Sequence, residues 1–199
     1  MVTRLTYRIV LSKRRHLPVI KTEHGTYPFW EIFNLLFGIR CQIYEYKARL
    51  LPHHKNMISE LAIWEKWYLP SSFSLKEKTV LDIGSGSGET ALFYFHHGAS
   101  KLVCVEKSSS ACRFARANLR NLNAEIINEP FKLDHLKIPH DYLKMDIEGG
   151  EVLLLKYDAH LKPCVIEAHS KELEKELCDK FNLKKAFNLN ANTSLIVSK

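Results

Sequence analysis

No two cysteines of this sequence are spaced C-x-x-C, and the five present, Cys41, Cys104, Cys112, Cys164 and Cys178, are odd in number. Neither a disulfide framework nor a cysteine zinc site is therefore indicated, and a reducing, cytoplasmic setting is the expectation. No apolar run approaches the roughly 18 residues of a membrane span. The densest stretch, Phe29 to Phe37, is interrupted by Glu31 and Asn34 and reads as a buried helix. A signal-peptide core is missing from the start. Met1 to Thr22 carries Arg4, Arg8, Lys13, Arg14, Arg15 and Lys21 with no acid, as a transit peptide does, yet Leu5, Tyr7, Ile9 and Leu11 alternate as in a strand. Internal repeats and low-complexity tracts are absent. So is any RRM, KH or helix-turn-helix signature, although a net charge of +7, concentrated before Lys78, keeps RNA open as a partner.

What is present is the composition of a globular chain, 46% hydrophobic and 26% charged, long enough for one α/β domain with an appendage. Residues 1–56 are assigned to a small α+β appendage or lid. It holds a strand near Leu5 to Leu11, a helix from Pro28 to Phe37 and a strand around Ile39 to Tyr46. Residues 57–199 form the main domain, opened by an amphipathic helix from Met57 to Tyr68. From Thr79 on, strands and helices alternate, which predicts a doubly wound Rossmann-like sheet with ligands at the carboxyl ends of its strands. The predicted strands are Thr79–Ile83, Leu102–Glu106, Glu125–Asn128, Asp141–Ile147, Cys164–Ala168, Leu183–Leu189 and Ser194–Ser198. The predicted helices are one entered at Ala91 to Phe95, and Ala111–Leu122, Gly150–Leu161 and Lys171–Phe181.

The first strand runs into Asp82-Ile83-Gly84-Ser85-Gly86-Ser87-Gly88-Glu89-Thr90. Alternating glycines let a backbone approach a ligand closely, and the helix that follows offers free N–H groups. A dinucleotide turn wants a small residue where Glu89 stands, and no Gly-Lys-Ser/Thr follows to make a Walker loop. Asp82 and Glu89 set carboxylates where a phosphate needs none. S-adenosylmethionine, with a sulfonium, an ammonium and no phosphate, suits the turn better, with Asp82 at its amino-acid end.

Glu106 ends the second strand about twenty residues on, where an acid bonds ribose hydroxyls, and Lys107 follows it. Glu129-Pro130-Phe131 ends the third, and Phe131 either flanks an adenine ring or joins the core. Asp146-Ile147-Glu148-Gly149-Gly150-Glu151 leaves the fourth strand, which should lie beside the first. Glu151 falls in the first turn of the next helix, where the dipole favours an acid. These acids could recruit a hard cation, but no further ligands accompany them in sequence, so no metal is expected. If the acceptor is a hydroxyl, Asp146, Glu148 or His169 is the candidate base, His169 being equally suited to a structural role. The cofactor contacts are thus Asp82, Gly84, Ser85, Gly86, Gly88, Glu89, Thr90, Glu106, Lys107, Glu129, Pro130, Phe131 and Asp146. His53, His54, His96 and His97 read as surface residues.

These runs resemble the class I S-adenosylmethionine-dependent methyltransferases, and within them the FkbM-like group. The resemblance is carried by Val80 to Gly84, Gly88-Glu89, Gly98 to Val103 leading to Glu106, Leu133-Asp134, and above all Leu143-Lys144-Met145-Asp146-Ile147-Glu148-Gly149-Gly150-Glu151. It implies a seven-stranded methyltransferase sheet, S-adenosyl-L-methionine as cofactor, and usually an oxygen acceptor on a small molecule or glycan. The sequence departs from that group at Glu106-Lys107, where Glu-Pro is usual, and at Ser85-Gly86-Ser87, where Ala-Asn-Ile is common. An RNA acceptor (tRNA or rRNA) and a non-catalytic binding module are the other readings. The sequence leaves the oligomeric state open.

Overall fold

The computed structural model describes residues 8–11, 18–22, 25–28, 64–69 and 73–199. The chain divides into two compact units, Met1–Leu69 and Pro70–Lys199.

The first unit contains strands β1 (Arg8–Leu11), β2 (Pro18–Thr22) and β3 (Gly25–Pro28), paired antiparallel in that order. Arg8 pairs with Lys21 and Thr22 with Gly25. The strand expected near Leu5 to Leu11 is therefore present over its second half. Pro28 closes β3 rather than opening a helix: its fixed φ and missing N–H suit a strand end as well as a first helical turn. The expected helix beyond Pro28, the strand at Ile39 to Tyr46 and the pair His53-His54 lie outside the described residues. Of the helix Met57 to Tyr68, the part described is α1 (Trp64–Tyr68), where the two end rings meet edge-on at 5.7 Å.

The second unit is built on β4 (Thr79–Ile83), β5 (Lys101–Val105), β6 (Ala124–Ile127), β7 (Tyr142–Met145), β8 (Cys164–Ala168), β9 (Leu183–Asn188) and β10 (Ser194–Ser198). They form one sheet in the order β6-β5-β4-β7-β8-β10-β9. The pairs β6-β5, β5-β4, β4-β7 and β7-β8 are parallel, and β10 runs antiparallel to both its neighbours. The central strands are near-continuous apolar runs because both faces are covered. Leu81, Ile83, Val103, Leu143 and Ile166 are buried and share one cluster with Leu154, Leu177 and Ile196.

Between the strands lie helices α2 (Glu89–His96), α3 (Ser109–Asn118) and α4 (Lys171–Phe181). Ser108 and Ser170 cap the last two, accepting from the N–H groups of Ala111 and Leu173. The helix α3 stops short of the expected Leu122. The segment expected as an α-helix from Gly150 to Leu161 is a 3-10 helix, Gly150–Lys156. Its buried side chains, Glu151 and Leu154, stand three residues apart, and three residues per turn places them on one inward face.

This order makes β4 the topological switch point: the chain winds from it to β5 and β6 on one side and to β7 and β8 on the other. A crevice must open there at the carboxyl ends. Among the described residues, no helix is long and apolar enough to cross a membrane.

Candidate active site

The glycine turn leaves β4 at the switch point. Gly84 has φ +76°, and a Cβ built on it would lie 1.8 Å from the carbonyl oxygen of Asp146. Only glycine lets the ends of β4 and β7 come this close. The N–H of Gly84 donates to Val105 O at 2.8 Å and that of Asp146 to Ile83 O at 3.0 Å, so both neighbouring strands fix the turn.

Asp82 is fully buried. Its carboxylate accepts from Thr90 Oγ1 at 2.5 Å and lies 3.2 Å from Lys144 Nζ, which also donates to Gly84 O at 2.9 Å. Lys144 is the register partner of Asp82 across the β4-β7 pair. Burial works against the Lys144 charge, but Asp82 and then Asp146 outweigh it and hold its pKa above the ordinary value. Burial pushes the Glu89 carboxyl up to about 7. The sequence reading set two carboxylates at this turn. The structure adds what surrounds them: Asp82 is paired with Lys144, and burial favours the protonated form of Glu89. Sequence reasoning gave Lys144 no role, although the signal was there, a lysine inside an apolar strand placed next to a strand bearing a buried acid.

At the carboxyl ends of β4, β5 and β7 opens a cavity of about 380 Å³. Of the predicted contacts, Gly84, Glu106, Lys107, Glu129, Pro130, Phe131 and Asp146 line it, together with Glu148. Asp82, Ser85, Gly86, Gly88, Glu89 and Thr90 do not, and neither does His169. Apolar wall comes from Val105, Ile147 and Leu153, which sequence reasoning missed because they are ordinary apolar residues. The objection to phosphate moves from the turn to this lining, where Glu106, Glu129, Asp146 and Glu148 face one cation, Lys107. A second cavity, of about 360 Å³ between Thr79, His140, Tyr157 and Lys162, contains none of the predicted residues.

Two carboxylates of the lining, Glu106 and Glu129, are held by hydrogen bonds. Glu106 accepts the N–H of Gly86 on Oε2 at 3.1 Å and that of Ser108 on Oε1 at 2.7 Å, with lone pairs to spare for a ligand. Glu129 accepts from Lys132 Nζ and from His135 Nε2, the latter at 2.7 Å, and these hydrogen bonds lower its pKa. His135 is buried and in turn accepts the Lys132 N–H on Nδ1 at 3.0 Å. Phe131 packs on the core cluster and also lines the cavity.

Beyond β7 the backbone turns through two left-handed residues, Glu148 at φ +54° and Gly149 at φ +94°. That conformation costs a non-glycine residue energy, and here it presents an 82% exposed glutamate side chain at the cavity. Glu151, expected as an ordinary first-turn acid, is wholly buried and accepts the Ile147 N–H at 2.8 Å. His169, at the exit of β8, joins Asp146 and Glu148, with one polar atom of each within 4.8 Å of the others. Glu167, also missed in sequence, is pushed up to about 8 by burial and then by Asp146.

No family model matches the chain. It is 28% identical over 102 residues to the histone-arginine methyltransferase CARMER of Drosophila ananassae, covering 49% of this chain and 18% of that protein. With protein arginine N-methyltransferase 6 of Xenopus tropicalis it shares 28% identity over 127 residues, 61% of this chain and 36% of that one. The chain thus spans well under half the length of these curated relatives. Among solved structures, a candidate RNA methyltransferase from Pyrococcus horikoshii superposes with a TM-score of 0.50 at 19% identity, covering 72% of this chain and 80% of that one. The fold is that of the class I S-adenosylmethionine-dependent methyltransferases.

Proposed function

We propose that the chain is an S-adenosylmethionine-dependent methyltransferase acting on an oxygen of a small molecule or glycan, as the FkbM-like sequence runs imply. The observation that supports this most is the cavity at the switch point, lined by Glu106, the Glu129 to Phe131 corner and Asp146, with carboxylates in place of a phosphate cradle. Glu106 would hold the ribose, Phe131 and Pro130 the adenine, and Asp146 with the Gly84 backbone the amino-acid end. Asp82, Thr90 and Lys144 set the turn rather than touch the ligand.

Bound adenosylmethionine supplies an electrophilic methyl group whose transfer discharges a sulfonium to a neutral sulfide. The chain's own part is to align the acceptor, shelter it from water and take up its proton. Asp146 and Glu148, at the cavity, stand where a hydroxyl proton would go. His169 lies behind them, 3.6 Å from Glu167, whose carboxyl burial pushes up to about 8 and which is suited to pass that proton on. The free thiols of Cys104, Cys112, Cys164 and Cys178 fit a reducing, cytoplasmic setting.

A second reading keeps the cofactor and makes RNA the acceptor, supported by the charge of +7. One experiment separates the two. The chain is incubated with labelled-methyl cofactor and a lysate split into RNA, protein, glycan and small-molecule fractions. Label in the small-molecule or glycan fraction is the expected result; label confined to RNA or protein sinks the oxygen-acceptor proposal.

A further inference from the structure

We infer that Asp146, Glu148 and His169 form a binding site for one hard divalent cation, of the Mg²⁺ or Mn²⁺ class. Sequence alone supplied acids without a further ligand; the fold supplies His169 from the exit of the neighbouring strand β8. The two ring nitrogens of His169 face different surroundings. Nδ1 lies 3.2 Å from Oε1 of Glu151, while Nε2 faces Asp146 Oδ1 at 3.8 Å, Glu148 Oε2 at 3.5 Å and Glu167 Oε1 at 3.6 Å. None of the Nε2 distances is a hydrogen bond. An imidazolium paired with these acids would draw one of them to about 2.8 Å. Donor atoms around a six-coordinate ion stand about 3.0 Å apart, so these separations need each side chain to move in by only a few tenths of an ångström to hold one ion in common.

The second observation is independent of that spacing. Glu151 is wholly buried beside the histidine, yet its Oε2 has no hydrogen-bond partner. His169 Nδ1 is likewise buried without a hydrogen bond, 3.2 Å from Glu151 Oε1; an ion on Nε2 would put the ring proton on Nδ1, facing the carboxylate that would then orient the histidine. Positive charge is also short. Among the described residues the one buried ammonium, Lys144, is spent on Asp82 and Gly84 O. Carboxylates with a single imidazole favour Mg²⁺ or Mn²⁺ over softer ions. Beside the cavity, such an ion would bind and acidify the acceptor's hydroxyl oxygen. That role rests on the oxygen-acceptor reading; the ion's binding does not.

The test is titration of the full chain with Mn²⁺, following free Mn²⁺ by electron paramagnetic resonance, with adenosylmethionine binding measured on the same samples. One ion per chain is expected, bound on the order of tenfold to a hundredfold more weakly by His169→Ala and Asp146→Asn. If either variant fails to fold, Glu148→Gln, whose side chain is exposed, decides by the same criterion. Equal Mn²⁺ affinity in wild type and folded variants overturns the site. Adenosylmethionine binding without Mn²⁺ binding would sink the metal and keep the methyltransferase, and the converse would do the reverse.

Discussion

Two charged clusters hang from β7 and its exit, and they are balanced differently. Within the strand, Lys144 meets Asp82 and Gly84 O at hydrogen-bond or ion-pair distance, and Thr90 donates to Asp82 from the other side. Past its end, Asp146, Glu148, Glu151 and Glu167 surround one histidine, none of them within 3 Å of it. The first cluster is closed and shapes the turn. The second has acids in excess, borders the cavity and includes a residue in a costly left-handed conformation. Folding alone does not account for such an arrangement, because burying like charges raises the free energy of the folded state.

The largest expected effect breaks the first cluster. Lys144→Met leaves Asp82 buried without its cation and should lower stability by about 3–5 kcal/mol, read by urea unfolding. Adding Asp82→Asn should restore most of the loss; no recovery in the double variant would mean the pair is not the source. Next comes Glu89. Its pKa is raised in the folded chain from 4.5 to about 7, so the folded state holds the proton more tightly than the unfolded one. The stability this provides is complete below about 4.5 and is lost as pH rises through 7. Glu89→Gln should remove that loss, leaving the variant more stable than wild type at pH 8 by on the order of 2–3 kcal/mol, with no advantage at pH 4. Parallel stability curves for the two proteins would contradict it. The smallest effect belongs to the second cluster. Glu148→Gly relieves a left-handed glutamate and should raise stability by about 0.5–1 kcal/mol, seen as a higher melting temperature, while weakening Mn²⁺ binding.

Legibility in the sequence follows the same division. The sheet was readable because each central strand is an apolar run closed by an acid or glycine, and the winding direction follows from helices between parallel strands. Gly84, Glu106, Glu129, Phe131 and Asp146 could be placed at the cavity because position at a strand's carboxyl end is a local property. Lys144, His135 and Glu167 could not be given roles, since each acts through a partner distant in sequence: Asp82 across a strand pair, Glu129 across a turn, Asp146 across two strand ends. The charge balance at the turn was out of reach for the same reason, as Asp82 and Glu89 are visible in one window and Lys144, the counter-ion of Asp82, is not. The 3-10 segment was hidden because apolar residues at 152–155 fit either helical period.

The most direct test of the account is isothermal calorimetry of the full chain with adenosylmethionine and, separately, with NAD. Saturable heat with adenosylmethionine alone, weakened about tenfold by Glu106→Gln, is the result the cavity predicts. Tight NAD binding with no response to adenosylmethionine, or adenosylmethionine affinity untouched by Glu106→Gln, would contradict it.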